Sequence, residues 1–251
     1  MLQRIRHDRV LELKLDRLPV NALNRSLLES LRDAILAAPG EGAEALVISG
    51  GEKVFSAGLD VPELLTLERD ALEASWRAFF AVCEALARSP LPSVAAIGGH
   101  SPAGGAVIAL FCDYRVMAHG AWRIGLNETE VGLVVPECIQ YAMKRVIGTH
   151  RAERLLVTGA MVEAEQAFAI GLVDELVAHD QVVVRALAWL QALLALPRNA
   201  MLATRAISRR DLVDAVSDPA RLDLGRFFDE WHSEPTQAVL HALVARLKSK
   251  P

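Results

Sequence analysis

The sequence predicts an α/β fold in two parts: a β/α body over residues 1–180 and an all-helical region over residues 181–251. Three observations point to it. Short apolar runs of strand length alternate with amphipathic helical stretches as far as Asp180. Past that residue only the helical period continues. Glycine-bearing turns join a strand to a helix at two places, Phe55–Val61 and Gly98–Gly105.

Val10–Leu15 alternates apolar and polar residues, the pattern of a half-buried strand. Arg17–Asn24 reads as a loop, with Asn24 as the N-cap of a helix to about Leu36 whose Leu27, Leu28, Leu31 and Ile35 share one face. Pro39-Gly40 stops that helix, and Ala45–Ser49 is a short buried strand. Pro62 suits the first turn of a short helix. A long helix from about Leu67 to Arg88 carries an apolar stripe of Trp76, Phe79, Phe80, Cys83 and Leu86. Ser89-Pro-Leu-Pro92 breaks it before a strand at Ser93–Ile97, and an apolar helix starts near Gly105. Strands are expected at Tyr114–Ala118, Trp122–Gly125 and Leu172–Val177. Helices are expected at Glu137–Val146, His150–Thr158 and Glu163–Ile170. The tail reads as helices 182–196, 199–211, 214–230 and 236–248, with Pro197, Pro219 and Pro235 near their boundaries.

Composition narrows the function classes. With 52% hydrophobic residues and a mean hydropathy of +0.26, core material is ample. The longest apolar runs fall well short of the ~20 residues that span a bilayer. The N-terminus lacks the apolar centre of a signal peptide, so a cytoplasmic protein without a membrane partner is expected. A net charge of −4 with scattered basic residues leaves no nucleic-acid footprint. Cys83, Cys112 and Cys138 fit no disulfide or metal spacing, the His residues are scattered, and no metal is expected.

The chemistry lies in the two turns. Four glycines fall between Gly98 and Gly105, just where a helix opens with unpaired amides. Such a turn either packs tightly or presents an amide to a ligand's negative charge, and the stretch alone leaves both readings open. Two such turns could aim one amide each at a common oxygen, forming an oxyanion hole for a thioester or ester carbonyl. Ser56 and Ser101 lie close by without an evident His partner, and there is no GxSxG, no Walker lysine and no GxGxxG. Enolate chemistry remains, and it needs a base. Glu128 sits in a mainly apolar loop between Gly125 and Gly132, where desolvation would raise its pKa toward that of a proton shuttle. Glu137, in Leu133-Val-Val-Pro-Glu137, is a second candidate, with an exposed first-turn carboxylate as its alternative reading.

These stretches together resemble the crotonase (enoyl-CoA hydratase/isomerase) superfamily. The match runs from Pro19-Val-Asn-Ala-Leu-Asn through Val54-Phe-Ser-Ala-Gly-Leu-Asp and Pro102-Ala-Gly-Gly to Gly171-Leu-Val-Asp-Glu-Leu-Val. Phe111-Cys-Asp-Tyr-Arg-Val and Ile124-Gly-Leu-Asn-Glu-Thr-Glu-Val-Gly-Leu make it most similar to the mitochondrial-type Δ3,Δ2-enoyl-CoA isomerases.

The resemblance implies a crotonase-like spiral of ββα units, with the helical region serving oligomerisation, as a homotrimer or a dimer of trimers, and closing the site. It implies an acyl-CoA substrate with no further cofactor, and isomerisation of 3-enoyl-CoA to 2-trans-enoyl-CoA in β-oxidation. It places oxyanion-hole amides at Leu59 and Gly104, the base at Glu128, and substrate contacts at Ala57, Gly58, Asp60, Val61, Gly105 and Asn127. Hydratases of the superfamily carry a second glutamate at a position that is Val107 here. Leu64, Leu126 and Val134 are candidates to line the acyl pocket. In other branches the working carboxylate comes from near Glu137. Arg205, Arg209, Arg226 and Lys248 are open as contacts to CoA phosphates or as solvated surface. A hydratase, a dienoyl-CoA isomerase, a thioester hydrolase and a non-catalytic binding protein, including an RNA-binding one, remain as alternatives.

Overall fold

The computed structural model describes residues 1–222 and 224–248, leaving the end of the predicted helical region outside. A hairpin of β1 (Leu2–His7) and β2 (Val10–Leu15) opens the chain, followed by α1 (Arg25–Ala37) and β3 (Ala45–Ser49). Then come α2 (Val61–Leu64), α3 (Arg69–Arg88), β4 (Ser93–Ile97), β5 (Ser101–Pro102) and α4 (Gly104–Phe111). The body continues with β6 (Tyr114–Ala118), β7 (Arg123–Gly125), α5 (Glu137–Ile147), α6 (Thr149–Thr158), β8 (Met161–Glu163), α7 (Ala164–Ala169) and β9 (Glu175–Val177). The tail holds α8 (Val182–Leu194), α9 (Arg198–Ser208), α10 (Arg210–Ser217), α11 (Pro219–Leu222), α12 (Leu224–Trp231) and α13 (Glu234–Lys248).

The main sheet has the order β1-β2-β3-β4-β6-β9, parallel from β2 onward. After each strand the chain turns and pairs again, in parallel, with the equivalent segment of the next unit. Leu23 bridges Leu59, Val54 bridges His100, and Ser101 pairs Ile124. A second sheet has the order β5-β7-β8, with β8 antiparallel to β7, and the repeated parallel pairing stacks the units as a spiral. This is the crotonase architecture that the sequence resemblance implied.

Every residue of β3 and β4 is buried, as expected of a parallel sheet covered on both sides. Leu13, Leu46, Ile48, Ala95 and Ile97 share the larger core with α1 and α3. Val10, Val47, Val94, Ala96 and Val116 pack with Val182, Ala186 and Leu190 of α8 on the other face. Leu212, Val216, Phe227, Phe228, Trp231 and Leu240 of the tail belong to the larger core too.

The structure departs from the sequence reading at several elements. β1 was not expected, because only Leu2 and Ile5 interrupt its polar run and no residue in it is fully buried. β5 and β8 are too short to give a period. The strand expected at Leu172–Val177 is confined to β9, since Asp174 is committed through its side chain to the Arg115 amide and guanidinium. The helix expected at 199–211 ends at Ser208, and the one expected at 214–230 breaks at Asp218, which stands extended before Pro219. A residue preceding proline is pushed out of the helical region.

Arg205 and Arg209 are neither CoA contacts nor solvated surface. The Arg209 guanidinium is buried and that of Arg205 largely so, and they hold Asp113 at the end of α4 at 3.0 Å and 2.8 Å, while Arg209 also donates to Phe111 O at 2.7 Å. Burial alone would raise the Asp113 carboxyl, but the Arg209 and Arg205 charges outweigh it and hold it below the ordinary carboxylate range. Arg226 pairs with Glu230 at 2.9 Å, and the Lys248 side chain lies outside the described residues.

Asp113 thus joins the tail to the body. Asp113→Ala leaves two buried cations unpaired, and denaturant unfolding is expected to show a loss of about 3–5 kcal/mol. A loss below about 1 kcal/mol, the level of an exposed pair, would remove Asp113 from that role.

Candidate active site

The two glycine turns meet. Leu23 and Leu59 pair in parallel, with Leu23 N–H donating to Gly58 O at 2.8 Å and Asp60 N–H to Leu23 O at 3.1 Å. Gly58 sits at φ +80°, and a Cβ placed there would lie 2.9 Å from the Gly104 nitrogen. A Cβ on Gly104 would in turn lie 3.2 Å from the Gly58 Cα. Glycine is needed at both positions so that the backbones can touch.

Ala103 approaches the helix in the left-handed half of backbone space, at φ +46°. Its N–H donates to Gly125 O at 2.8 Å and its carbonyl accepts from Val107 N–H at 3.0 Å, which hold the strained turn. Gly104 is the first residue of α4, so its amide has no intrahelical partner. Among the described residues neither the Leu59 nor the Gly104 amide donates a hydrogen bond. Both residues line one cavity of about 540 Å³.

Glu128 lines the same cavity. It opens a short 3₁₀ turn, Glu128–Val131, where the sequence predicts a loop. Gly132, left-handed at φ +76°, ends the turn, and two neighbours pin it: Thr129 Oγ1 donates to Leu156 O at 2.9 Å and Thr236 Oγ1 to Gly132 O at 3.0 Å. The residue is only half-buried, yet its Oε2 is fully buried and unpartnered. Burial pushes the carboxyl up to about 7, opposed only by a backbone hydrogen bond. Asn127 Oδ1 is a second buried, unpartnered acceptor on the cavity wall. Buried polar atoms without partners are rare, and two of them share this one cavity wall.

The rest of the lining is mainly apolar, with Arg17 and Asp60 as its charged members: Leu64, Phe79, Val131, Val134 and Ile139 come from the body, and Phe227, Trp231, Leu243 and Leu247 from the tail. Trp76 packs edge-on to Phe227, with ring centroids 4.3 Å apart. Leu126 is not part of this wall; it is 1% exposed and belongs to the core. Ala57, Asp60 and Val61 line the cavity, whereas Gly58 and Gly105 serve backbone packing behind it. Asp60 caps α2 through Glu63 N–H and pairs with Arg17 at 2.7 Å, so it is no free base.

Glu137 lies elsewhere. Its side chain is 65% exposed, 3.7 Å from Arg221, in a separate surface cleft with Arg226 and Glu230. Val107 is fully buried in α4 and offers the cavity no carboxylate. The sequence reading missed the aromatic wall of Phe227 and Trp231, whose signal was the strong amphipathicity of α12. It also missed Arg17, whose pairing with Asp60 and Glu63 requires the fold.

The chain is similar to known proteins over most of its length. The family model described as enoyl-CoA hydratase/isomerase matches residues 6–250. Human mitochondrial enoyl-CoA delta isomerase 1 is 31% identical, covering 92% of this chain and 78% of that protein. A probable enoyl-CoA hydratase of Mycobacterium avium is 37% identical, covering 77% of this chain and 76% of its own. The crystal structure of human mitochondrial Δ3,Δ2-enoyl-CoA isomerase superposes with a TM-score of 0.93 at 29% identity, over 98% of both chains.

Because the folded-state pKa of Glu128 lies above its ordinary 4.5, the native state binds the extra proton between that value and about 7. The stability from this proton is complete below pH 4.5 and is lost as pH rises through 7. Glu128→Gln, which keeps the shape without the charge, should gain stability relative to the parent between pH 5 and pH 8. Thermal melts at both pH values read this, and a pH-independent difference would mean that Glu128 is not desolvated.

Proposed function

The chain belongs to the enoyl-CoA hydratase/isomerase family, and from that premise we propose that it is a Δ3,Δ2-enoyl-CoA isomerase, moving the double bond of a cis or trans 3-enoyl-CoA to the 2-trans position in fatty acid β-oxidation. One observation carries the choice within the family: among the described residues lining the cavity, Glu128 is the one carboxylate not already paired.

The proton inventory supports this reading. Adding water across a double bond calls for a base to activate the water and an acid to deliver a proton to carbon. Shifting the bond calls for one group that takes a proton and returns it. In the proposed reaction the thioester oxygen sits on the Leu59 and Gly104 amides, and Glu128 removes a proton from carbon 2. The C2–H electron pair moves into conjugation, giving a dienolate whose charge lies on the thioester oxygen. Glu128, now neutral, returns the proton at carbon 4, leaving the double bond between carbons 2 and 3. Each aligned amide is worth about 3 kcal/mol in sites of this kind. The apolar wall of Leu64, Phe79, Phe227 and Trp231 limits competition from water.

Coenzyme A enters as part of the substrate and no separate cofactor is proposed. A homotrimer or dimer of trimers belongs to the same proposal. α9 has no buried residue and leaves Ile207 65% exposed, which suits a face covered by another copy. The M. avium relative favours hydration as the second reading. Val107, fully buried where the hydratases carry their second glutamate, weighs against it.

Turnover of a 3-enoyl-CoA with product identification decides between them. The parent is expected to yield 2-trans-enoyl-CoA, with Glu128→Gln reducing kcat about 10²- to 10⁴-fold and Glu137→Gln leaving it nearly intact. 3-Hydroxyacyl-CoA or free acid as the main product would keep the family and overturn the isomerase. The base must be ionised to act, so kcat/KM for the parent is expected to rise with pH and level off above about 7. A profile falling through that range would exclude Glu128 as the base.

A further inference from the structure

Two amides form a useful hole only when their spacing and direction are fixed, which raises the question of what fixes them. Ser56 lies behind both turns and is fully buried. Its hydroxyl donates to Asn21 O at 2.8 Å and accepts from Gly58 N–H at 3.2 Å. On its other side it meets the second turn: a Cβ on Gly105 would lie 2.5 Å from Ser56 O and 3.2 Å from Ser56 Cβ. Ser56 thus bonds to the turn that carries the Leu59 amide and packs against the turn that carries the Gly104 amide.

Asn21 holds Ser56 in place. It is 4% exposed and left-handed at φ +50°, a conformation that asparagine tolerates better than most residues. Its Oδ1 accepts from Arg17 N–H at 2.8 Å and its Nδ2 donates to Phe55 O at 3.1 Å. Nearby, Val20 O accepts from Ala57 N–H at 2.9 Å. The loop from Arg17 to Leu23 therefore splints the turn from Phe55 to Asp60, using Asn21 at both its side chain and its carbonyl.

We propose that Ser56, held by Asn21, is the positioning residue of the amide pair: it occupies the Gly58 N–H so that the neighbouring Leu59 N–H is the donor aimed into the cavity, and it sets the distance between the two turns. This inference rests on the oxyanion-hole reading above. Without the hydroxyl, the Gly58 N–H loses its partner and the Ala57–Gly58 peptide loses the bond that orients it, so the next peptide, which carries the Leu59 N–H, is held only by Leu23 N–H on Gly58 O at 2.8 Å. The cost falls on the dienolate, which carries full charge on the oxygen, more than on the neutral ground-state thioester. Ser56 touches no reacting atom and acts through the amides alone.

The test compares Ser56→Ala with the parent, with Ser101→Ala as the matched control. Ser101 Oγ is also buried, lies 3.0 Å from the same Gly105 Cβ position and has no partner. Isomerisation of a 3-enoyl-CoA gives kcat and KM. The ultraviolet band of bound 3-oxoacyl-CoA, whose enolate the same two amides would stabilise, gives a readout that needs no turnover. Ser56→Ala is expected to lose about tenfold to a hundredfold in kcat, less than deletion of a hole donor, with KM changed little. The enolate band should weaken in parallel, the pH midpoint should stay at about 7, and Ser101→Ala should match the parent. Should Ser56→Ala not fold, Asn21→Asp, which places an oxygen against Phe55 O, is read by the same two measurements.

Unchanged kcat and an unchanged band in the Ser56 variant would overturn the proposal. So would equal losses in the Ser101 control, which would mean packing alone matters. A parent that shifts the 3-oxoacyl-CoA band but isomerises nothing removes the isomerase and leaves the positioning role to be decided by the band. A parent that does neither removes the hole and the positioning role together.

Discussion

Everything in the site depends on one close approach, the contact between Gly58 and Gly104. A methyl group at Gly58 would sit 2.9 Å from the Gly104 nitrogen, so the two backbones meet only because neither residue has a side chain. The spiral brings them there. Successive units stack in parallel through Leu23 and Leu59, Val54 and His100, and Ser101 and Ile124, so equivalent turns recur at the same height. One unit supplies the Leu59 amide, the next the Gly104 amide, and the unit after that the Glu128 turn beyond β7. The site is a consequence of stacking: three loops far apart in sequence are neighbours because their strands are.

The tail completes what the spiral begins. Asp113, at the end of the helix that Gly104 opens, receives two guanidiniums from the C-terminal region, that of Arg209 buried and that of Arg205 largely so. That anchorage lets α12 set Phe227 and Trp231 against Trp76 over the cavity. An apolar wall there has two effects of opposite sign. It would strengthen the attraction between the amides and the oxyanion of the proposed reaction, because the local dielectric is low. It also disfavours a charged Glu128, which is why the carboxyl is pushed up to about 7. The same burial that would suit Glu128 to the proposed proton transfer near neutral pH makes its ionised form costly to the fold. Catalytic poise and local instability share one cause.

Much of the main sheet and of the chemistry was legible in the residues. Ala45–Ser49 and Ser93–Ile97 are uniformly apolar runs between turn residues, and both fall where expected. Asn24 was readable as a cap and does accept from Leu27 N–H at 3.1 Å. The two glycine turns and the glutamate in an apolar loop stood out because chemistry of this kind needs rare local features. What stayed hidden depends on tertiary pairing. β1 is an edge strand whose charged residues face water, so it has no apolar signature. The Arg205–Asp113 pair joins residues 92 apart in the chain, and an arginine read alone looks like surface. On sequence grounds Glu128, in its apolar loop, stood first and Glu137 second, and the exposure of Glu137 is visible only in the fold. Nothing local distinguishes a carboxylate at an exposed helix start from one folded under a helical tail.

The distinction between bond migration and hydration reduces to how many unpaired carboxylates face the substrate. Two acids line the cavity among the described residues, but Asp60 is already bound to Arg17 and to the α2 amide. Recruiting it would strip Arg17 of its closest partner. Glu137 could contribute only if α5 turned its exposed first residue inward, away from Arg221. Val107 would have to be replaced outright. Each route to a second acid requires breaking an interaction that the fold already uses, whereas the single-base route requires none. The arrangement therefore favours a reaction in which the proton removed at one carbon is the proton delivered at another, and in which water has no part.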